Sequence, residues 1–153
     1  MLSFYCFGAG IIDSFALYHS WLFVGANEFA AIHQAGGQRI VLFFVFPMVI
    51  LTIITILLFW YRPQVIPKHL LWYAFACQLI SWLSSAFIQI PIQLQLDQGK
   101  DEVLLSRLIT TDWIRIIAWV IYIVIVVQMF TFLFSGVDSR PTTFYRRPST
   151  DGR

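Results

Sequence analysis

Charge is scarce in this chain of 153 residues: Asp, Glu, Lys and Arg make up only 12% of it, against roughly 25% in a soluble domain. The net charge of +2 is too small for a nucleic-acid surface. There are two cysteines, Cys6 and Cys77, both inside apolar runs, with no CxxC or zinc spacing. That excludes a disulfide framework and a zinc finger. Histidine is limited to His19, His33 and His69. Read on one helix, His19 and His33 stand roughly 21 Å apart, and His69 lies at the opposite end. No two histidines share a depth on neighbouring segments, so bis-histidine haem ligation within one chain is excluded. A set of Glu28, His33 and Asp112 is a weak metal signal, and no metal or cofactor is expected. Internal repeats, low-complexity tracts, nucleotide-binding loops and a Ser-His-Asp order are all missing. The N-terminus has neither a basic n-region nor a small-residue cleavage site, so its apolar run reads as retained.

What the chain has instead is apolar surface. Hydrophobic residues reach 59% and aromatic residues 18%. A core of this size cannot hide that many apolar side chains from water, whereas a bilayer can. Four segments approach the ~20 apolar residues needed to cross it, at about 3–26, 40–61, 70–90 and 113–134. Backbone groups have no water partner in lipid, so each span is expected to be a helix. The expected fold is all-α, an integral membrane four-helix bundle with up-down-up-down topology. Trp60, Tyr61, Trp72 and Trp113 stand where apolar runs end, as in an interfacial belt. The first connection runs from Asn27 to Arg39 and the second from Arg62 to His69. The third, Pro91 to Asp112, is the longest. Val103, Leu104, Leu105, Leu108 and Ile109 recur there at helical spacing, which predicts a short amphipathic helix. Residues 135–153 read as a flexible polar tail. Arg62, Lys68 and the arginines of the tail outweigh Arg39, Lys100, Arg107 and Arg115, which acids dilute. Both termini are therefore expected in the cytoplasm.

The few polar residues inside the spans are patterned. Gln78, Ser81, Ser85 and Gln89 share a face of the third span. Asp13, Ser20 and Asn27 recur every seventh residue of the first, where Asp13 is either buried or reaches the cytoplasmic interface. Thr52 and Thr55 share a face of the second. Asp112, Arg115, Trp119 and Tyr122 form a stripe on the fourth. Serines and threonines of this kind usually serve interhelical hydrogen bonding. Ionisable groups held in a partly dry cleft are functional candidates. In an up-down bundle the end of the first span, the end of the third and the start of the fourth meet on one side. Glu28, His33, Gln89, Gln93, Asp112 and Arg115 are expected to converge at that outer mouth. His33 on its own reads as a solvated loop residue. His19, near mid-span, is a ligand-binding candidate.

The stretch IPIQLQLDQGKDEVLLSRLITTDWIRIIAW resembles the anthrone-oxygenase-like family of small four-span membrane proteins. Pro91, Gln93 and Leu96 match a span-end pattern of proline, amide and leucine, with Gln93 where Asn is usual. Asp112 and Arg115 match a polar residue and an arginine that open the fourth span, although His or Asn is usual at the first. Glu28 matches an acid closing the first. The resemblance implies a cofactor-independent oxygenase acting on an apolar aromatic or quinone-like substrate entering from the bilayer. Arg115 would stabilise a phenolate, Glu28 or Asp112 would move the proton, and Gln89 and Gln93 would orient the ring. His19, Trp119 and Tyr122 complete the expected substrate-binding set. Two other readings stand beside it: a non-catalytic accessory subunit or lipid binder within a membrane complex, and an oligomeric small transporter.

The same resemblance bears on FIQIPIQLQ, residues 87–95. Its alternation looks like a strand, but it is expected to be the fading edge of the third helix, ended or bent at Pro91.

Overall fold

A computed structural model describes residues 1–138, and every regular element among them is helical. Four long helices form the bundle: α1 (residues 2–23), α2 (Ala26–Tyr61), α3 (Lys68–Leu96) and α4 (Glu102–Asp138). α1 packs on α4 and α2, α3 on α4 and α2, so the helices close a ring in up-down order. Three of the four, α2, α3 and α4, are long and apolar enough to cross a membrane. α1, expected as a fourth span, is interrupted by Asp13, Tyr18 and His19 and does not stand out in the same way.

Two helices are longer than their apolar cores. α2 starts at Ala26, so the expected first connection is helical throughout, and the chain turns earlier, at the extended residues Val24 and Gly25 inside the expected first span. Its 36 residues reach about 54 Å, well beyond the ~30 Å of a hydrocarbon layer. His19 and His33 therefore stand on separate helices. The amphipathic segment of the third connection is present, with Leu105 and Leu108 fully buried, and it runs unbroken into α4. The helix continues to Asp138; the rest of the expected tail lies outside the described residues.

The turn between α3 and α4 is chemically specified. Gly99 has φ +153, the only positive φ among the described residues, and glycine takes it without a Cβ penalty. Asp101 caps α4, its Oδ1 accepting from the amides of Val103 (2.8 Å) and Leu104 (3.1 Å). Lys100 Nζ donates to the carbonyls of Leu22 and Val24, both at 2.8 Å, satisfying the C-terminal end of α1.

α3 does not end at Pro91. It passes through it by way of a π turn at Ser85–Gln89. Proline has no N–H for the carbonyl four residues back and its ring crowds that carbonyl; a widened turn accommodates both. α2 repeats the device: a π turn at Val41–Val45 precedes Pro47. The Phe43 carbonyl, which Pro47 cannot satisfy, accepts the Tyr5 hydroxyl at 2.7 Å. α1 has a third π turn at Asp13–Leu17, and His19 Nδ1 lies 3.2 Å from its Ser14 carbonyl.

The apolar interior is in two parts. One gathers Cys6, Phe44, Met48, Leu51, Cys77 and Trp119 with their neighbours. The other, toward the α1–α2 and α3–α4 turns, gathers Tyr18, Trp21, Phe29, Leu96, Leu105 and Leu108. The surface changes along the same axis. Around the first part α2 and α4 expose Phe46, Ile53, Ile117 and Val124, a face suited to lipid. Around the second they expose Asn27, Glu28, Gln34, Ser106 and Arg107.

Candidate functional site

Between the two apolar cores lies a layer of buried charge. Asp13, Asp112 and Arg115 are 6%, 1% and 4% exposed. Burial of charge at this depth is costly unless the groups are paired, and here one guanidinium serves two carboxylates. Arg115 Nη2 donates to Asp13 Oδ2 at 3.0 Å and forms an ion pair with Asp112 Oδ1 at 2.8 Å. The guanidinium also lies over two aromatic rings, 5.9 Å from the Tyr18 centroid and 5.5 Å from that of Phe44. Cation–π attraction of this kind strengthens where water is excluded.

Amides extend the network. Gln89 Nε2 donates to Asp112 Oδ1 at 2.8 Å, and Gln93 Nε2 to the Tyr18 hydroxyl at 3.0 Å. The same hydroxyl lies 3.4 Å from Arg115 Nη2. The Asp13 Oδ1 and Asp112 Oδ2 atoms are buried without a hydrogen-bond partner. With both acids ionised, one positive charge faces two negative ones.

The π turns account for how these groups meet. Asp13, Phe44 and Gln89 belong to the three different π turns, and all three touch Arg115 or Asp112. A π turn inserts one residue into the helical register and swings the following side chains to a new face. Three such turns at one level bring polar groups inward where a straight helix would spread them. π turns are frequent at functional sites.

Asp13 has a second environment. It stands in the wall of a cleft of about 640 Å³ between α1 and α2, whose other walls include Phe4, Tyr5, Gly8, Phe43 and Phe44. The lining is overwhelmingly apolar, and Arg39, exposed, is its other charged residue. Elsewhere around the cluster, Ser14, Arg115 and Trp119 border a tight gap with no room for water.

Of the eight residues singled out from sequence, Asp112, Arg115, Gln89 and Gln93 come together. Trp119 borders Arg115, and its indole meets the ring of Tyr122 edge-on at 5.2 Å. Tyr122 itself belongs to a deeper, neutral set, its hydroxyl 3.3 Å from Ser3 Oγ. Glu28 is exposed in the first turn of α2 and makes no contact with the cluster among the described residues, so the expected meeting of Glu28, Gln89 and Arg115 is not found. The reason is that the chain reverses at Val24–Gly25, before Glu28 can reach the bundle interior. His19 is exposed beside Phe15, stacked at 6.3 Å. His33 is buried rather than solvated, with Nδ1 2.6 Å from Asp97 Oδ1 and its ring 4.5 Å from that of Trp21. It joins the apolar core near the turns, not the charged layer. Among the described residues no group of three His, Cys, Asp or Glu side chains could hold a metal ion.

Two members of the cluster were not foreseen, Asp13 and Tyr18. Asp13 reaches Arg115 instead of a membrane interface. The signal was available: an acid in the middle of an apolar segment needs a cation, and Arg115 is the arginine set just inside another. No protein-family model matches the chain, and no curated protein or solved structure matches it either.

Proposed function

We propose that this chain is an integral membrane protein that receives a lipid-soluble molecule with an apolar, ring-bearing body in the α1–α2 cleft, against the Asp13–Arg115–Asp112 cluster. One observation carries the reading: Asp13 is at once a wall of the apolar cleft and a partner of the buried arginine. A cleft of this volume suits a small ligand, since ligand sites span about 300–1,000 Å³ and pair apolar walls with a few polar groups. On this reading α1 completes the membrane domain beside the three longer spans. The charged layer sits near one bilayer boundary, where exposed side chains change from apolar to polar. The 62–67 turn faces the cytoplasm, because Arg62 and Lys68 flank it without an acid.

The test is to fill the cleft. A Cβ at Gly8 meets nothing within 4 Å, so Gly8→Leu adds bulk to the cleft and leaves the ion cluster alone. Small molecules extracted from the purified wild type should include an apolar compound that Gly8→Leu depletes. Identical extracts from the two proteins would contradict the reading.

A second reading is catalytic, along the lines of the anthrone-oxygenase-like resemblance. It is favoured by the unpartnered oxygens of Asp13 and Asp112, either of which can take a proton from a phenol. Glu28 is too far outside the cluster for that role. Arg115 Nη2 is already engaged by two carboxylates, so a phenolate would have to displace one of them. Consumption of a phenolic substrate by the wild type, abolished in Asp13→Asn while the protein stays folded, would favour this reading. Binding without turnover would favour the first.

A further inference from the structure

The charge count of the cluster specifies the head of the ligand. We infer that the α1–α2 cleft takes a lipophilic amine, with its protonated nitrogen on Asp13. The inference rests on the cleft reading above and adds the chemical class of the occupant. Three observations carry it. First, Asp13 and Asp112 share a single guanidinium, so with both acids ionised the buried layer holds one negative charge more than positive. Second, Asp13 is 6% exposed, and although its Oδ2 accepts from Arg115 its Oδ1 has no hydrogen-bond partner; a buried oxygen left without a donor costs free energy that a ligand N–H would recover. Third, the walls of the cleft include four aromatic side chains: Phe4, Tyr5, Phe43 and Phe44. A carboxylate in a cleft with aromatic walls suits an ammonium on an apolar body, which gains a charge-assisted hydrogen bond at the acid and cation–π attraction from the rings.

Arg39 argues the other way and decides the design of the test. It stands in the same cleft and would draw an anionic head. Its side chain is exposed, however, and makes no ion pair with Asp13 among the described residues. An exposed guanidinium is already solvated, whereas the buried carboxylate is not. The demand for a counter-charge is therefore on the acid. The remaining members of the layer, Gln89, Gln93, Tyr18 and Ser14, are neutral, and His19 lies outside it.

Three isosteric probes separate the possibilities: 2-(1-naphthyl)ethylamine, 2-(1-naphthyl)ethanol and 1-naphthylacetate. Each is dialysed to equilibrium against the full-length protein in zwitterionic lipid nanodiscs, with empty discs as the partitioning control. The amine should bind about tenfold or more tightly than the alcohol, the ratio of one desolvated charge contact of ~1.4 kcal/mol, and more tightly still than the acid. Asp13→Asn should erase the amine–alcohol difference. Arg39→Gln should strengthen amine binding by removing a like charge. Gly8→Leu should abolish binding of all three. If the acid binds as well as the amine, or the alcohol matches it, the amine assignment is overturned; the cleft reading survives provided Gly8→Leu still removes binding. If Gly8→Leu leaves binding intact, or no probe binds above empty discs, the cleft reading falls as well. The wild-type amine–alcohol ratio decides the assignment even where Asp13→Asn fails to fold.

Discussion

Two buried polar clusters hold the helices of this bundle together, and they are built on opposite principles. The deeper one is neutral. Gln78 Nε2 donates to Thr55 Oγ1 at 3.0 Å and Trp82 Nε1 to Thr52 Oγ1 at 3.1 Å. Each threonine passes its own proton to the carbonyl one turn back, at 2.9 Å. It sits on regular α-helix, and the threonines serve as acceptor and donor in the same place. The other cluster, about 16 Å along α2 (eleven residues from Thr55 to Phe44), is charged. It draws one residue from each of three π turns, is unbalanced by one charge when both acids are ionised, and leaves a free oxygen on each of two carboxylates, whereas the unpartnered Oε1 of Gln78 in the neutral cluster carries no charge. The neutral cluster is what helix association needs. The charged one exceeds that need, and its Asp13 lines a cleft. Stability alone explains the first; on the reading proposed above a ligand accounts for the second.

Substitutions should separate the two clusters, and the largest effect belongs to the charged one. Arg115→Leu strands two buried carboxylates and should cost about 3–5 kcal/mol, read as a large drop in the melting temperature of the detergent-solubilised protein. A drop of under ~1 kcal/mol would mean that the layer is hydrated and the contrast is false. Asp13→Asn should cost much less, about 1 kcal/mol, because it leaves Arg115 balanced by Asp112 and removes only one charge-assisted hydrogen bond. In the neutral cluster, Gln78→Leu should cost about 0.6–1.7 kcal/mol, the range for hydrogen bonds between membrane helices, and should leave ligand binding unchanged. Thr52→Val is the mildest: it removes one acceptor from Trp82 at nearly constant volume, so a shift of ~0.5 kcal/mol is expected. A loss of ligand binding in either neutral-cluster variant would erase the functional distinction between the two layers.

Much of this was legible in the sequence. Scarce charge and apolar runs define the helices of the bundle, and of the shared face of Gln78, Ser81, Ser85 and Gln89 all are buried except Ser85, which is half-buried. Asp112, Arg115, Gln89 and Gln93 could be grouped because span ends in an up-down bundle must meet. Helix ends were less legible. The 26–39 segment is polar and contains Gly36 and Gly37, poor helix formers, yet Phe29 and His33 pack one turn apart against Trp21 and hold it helical. The pairing of Asp13 with Arg115 was not legible because its π turn obeys no sequence periodicity. The other two π turns did leave a mark: each precedes an in-span proline, Pro47 or Pro91, by two residues.

The central claim is that Asp13 and Arg115 are joined across α1 and α4 in a dry layer. A double-mutant cycle on thermal unfolding, with Asp13→Asn, Arg115→Leu and the pair, tests it most directly. The account expects Asp13→Asn to rescue Arg115→Leu, making the double variant more stable than the arginine variant alone, with a coupling of about 1.5–3 kcal/mol. Losses that simply add, with no rescue, would show that the two side chains do not meet.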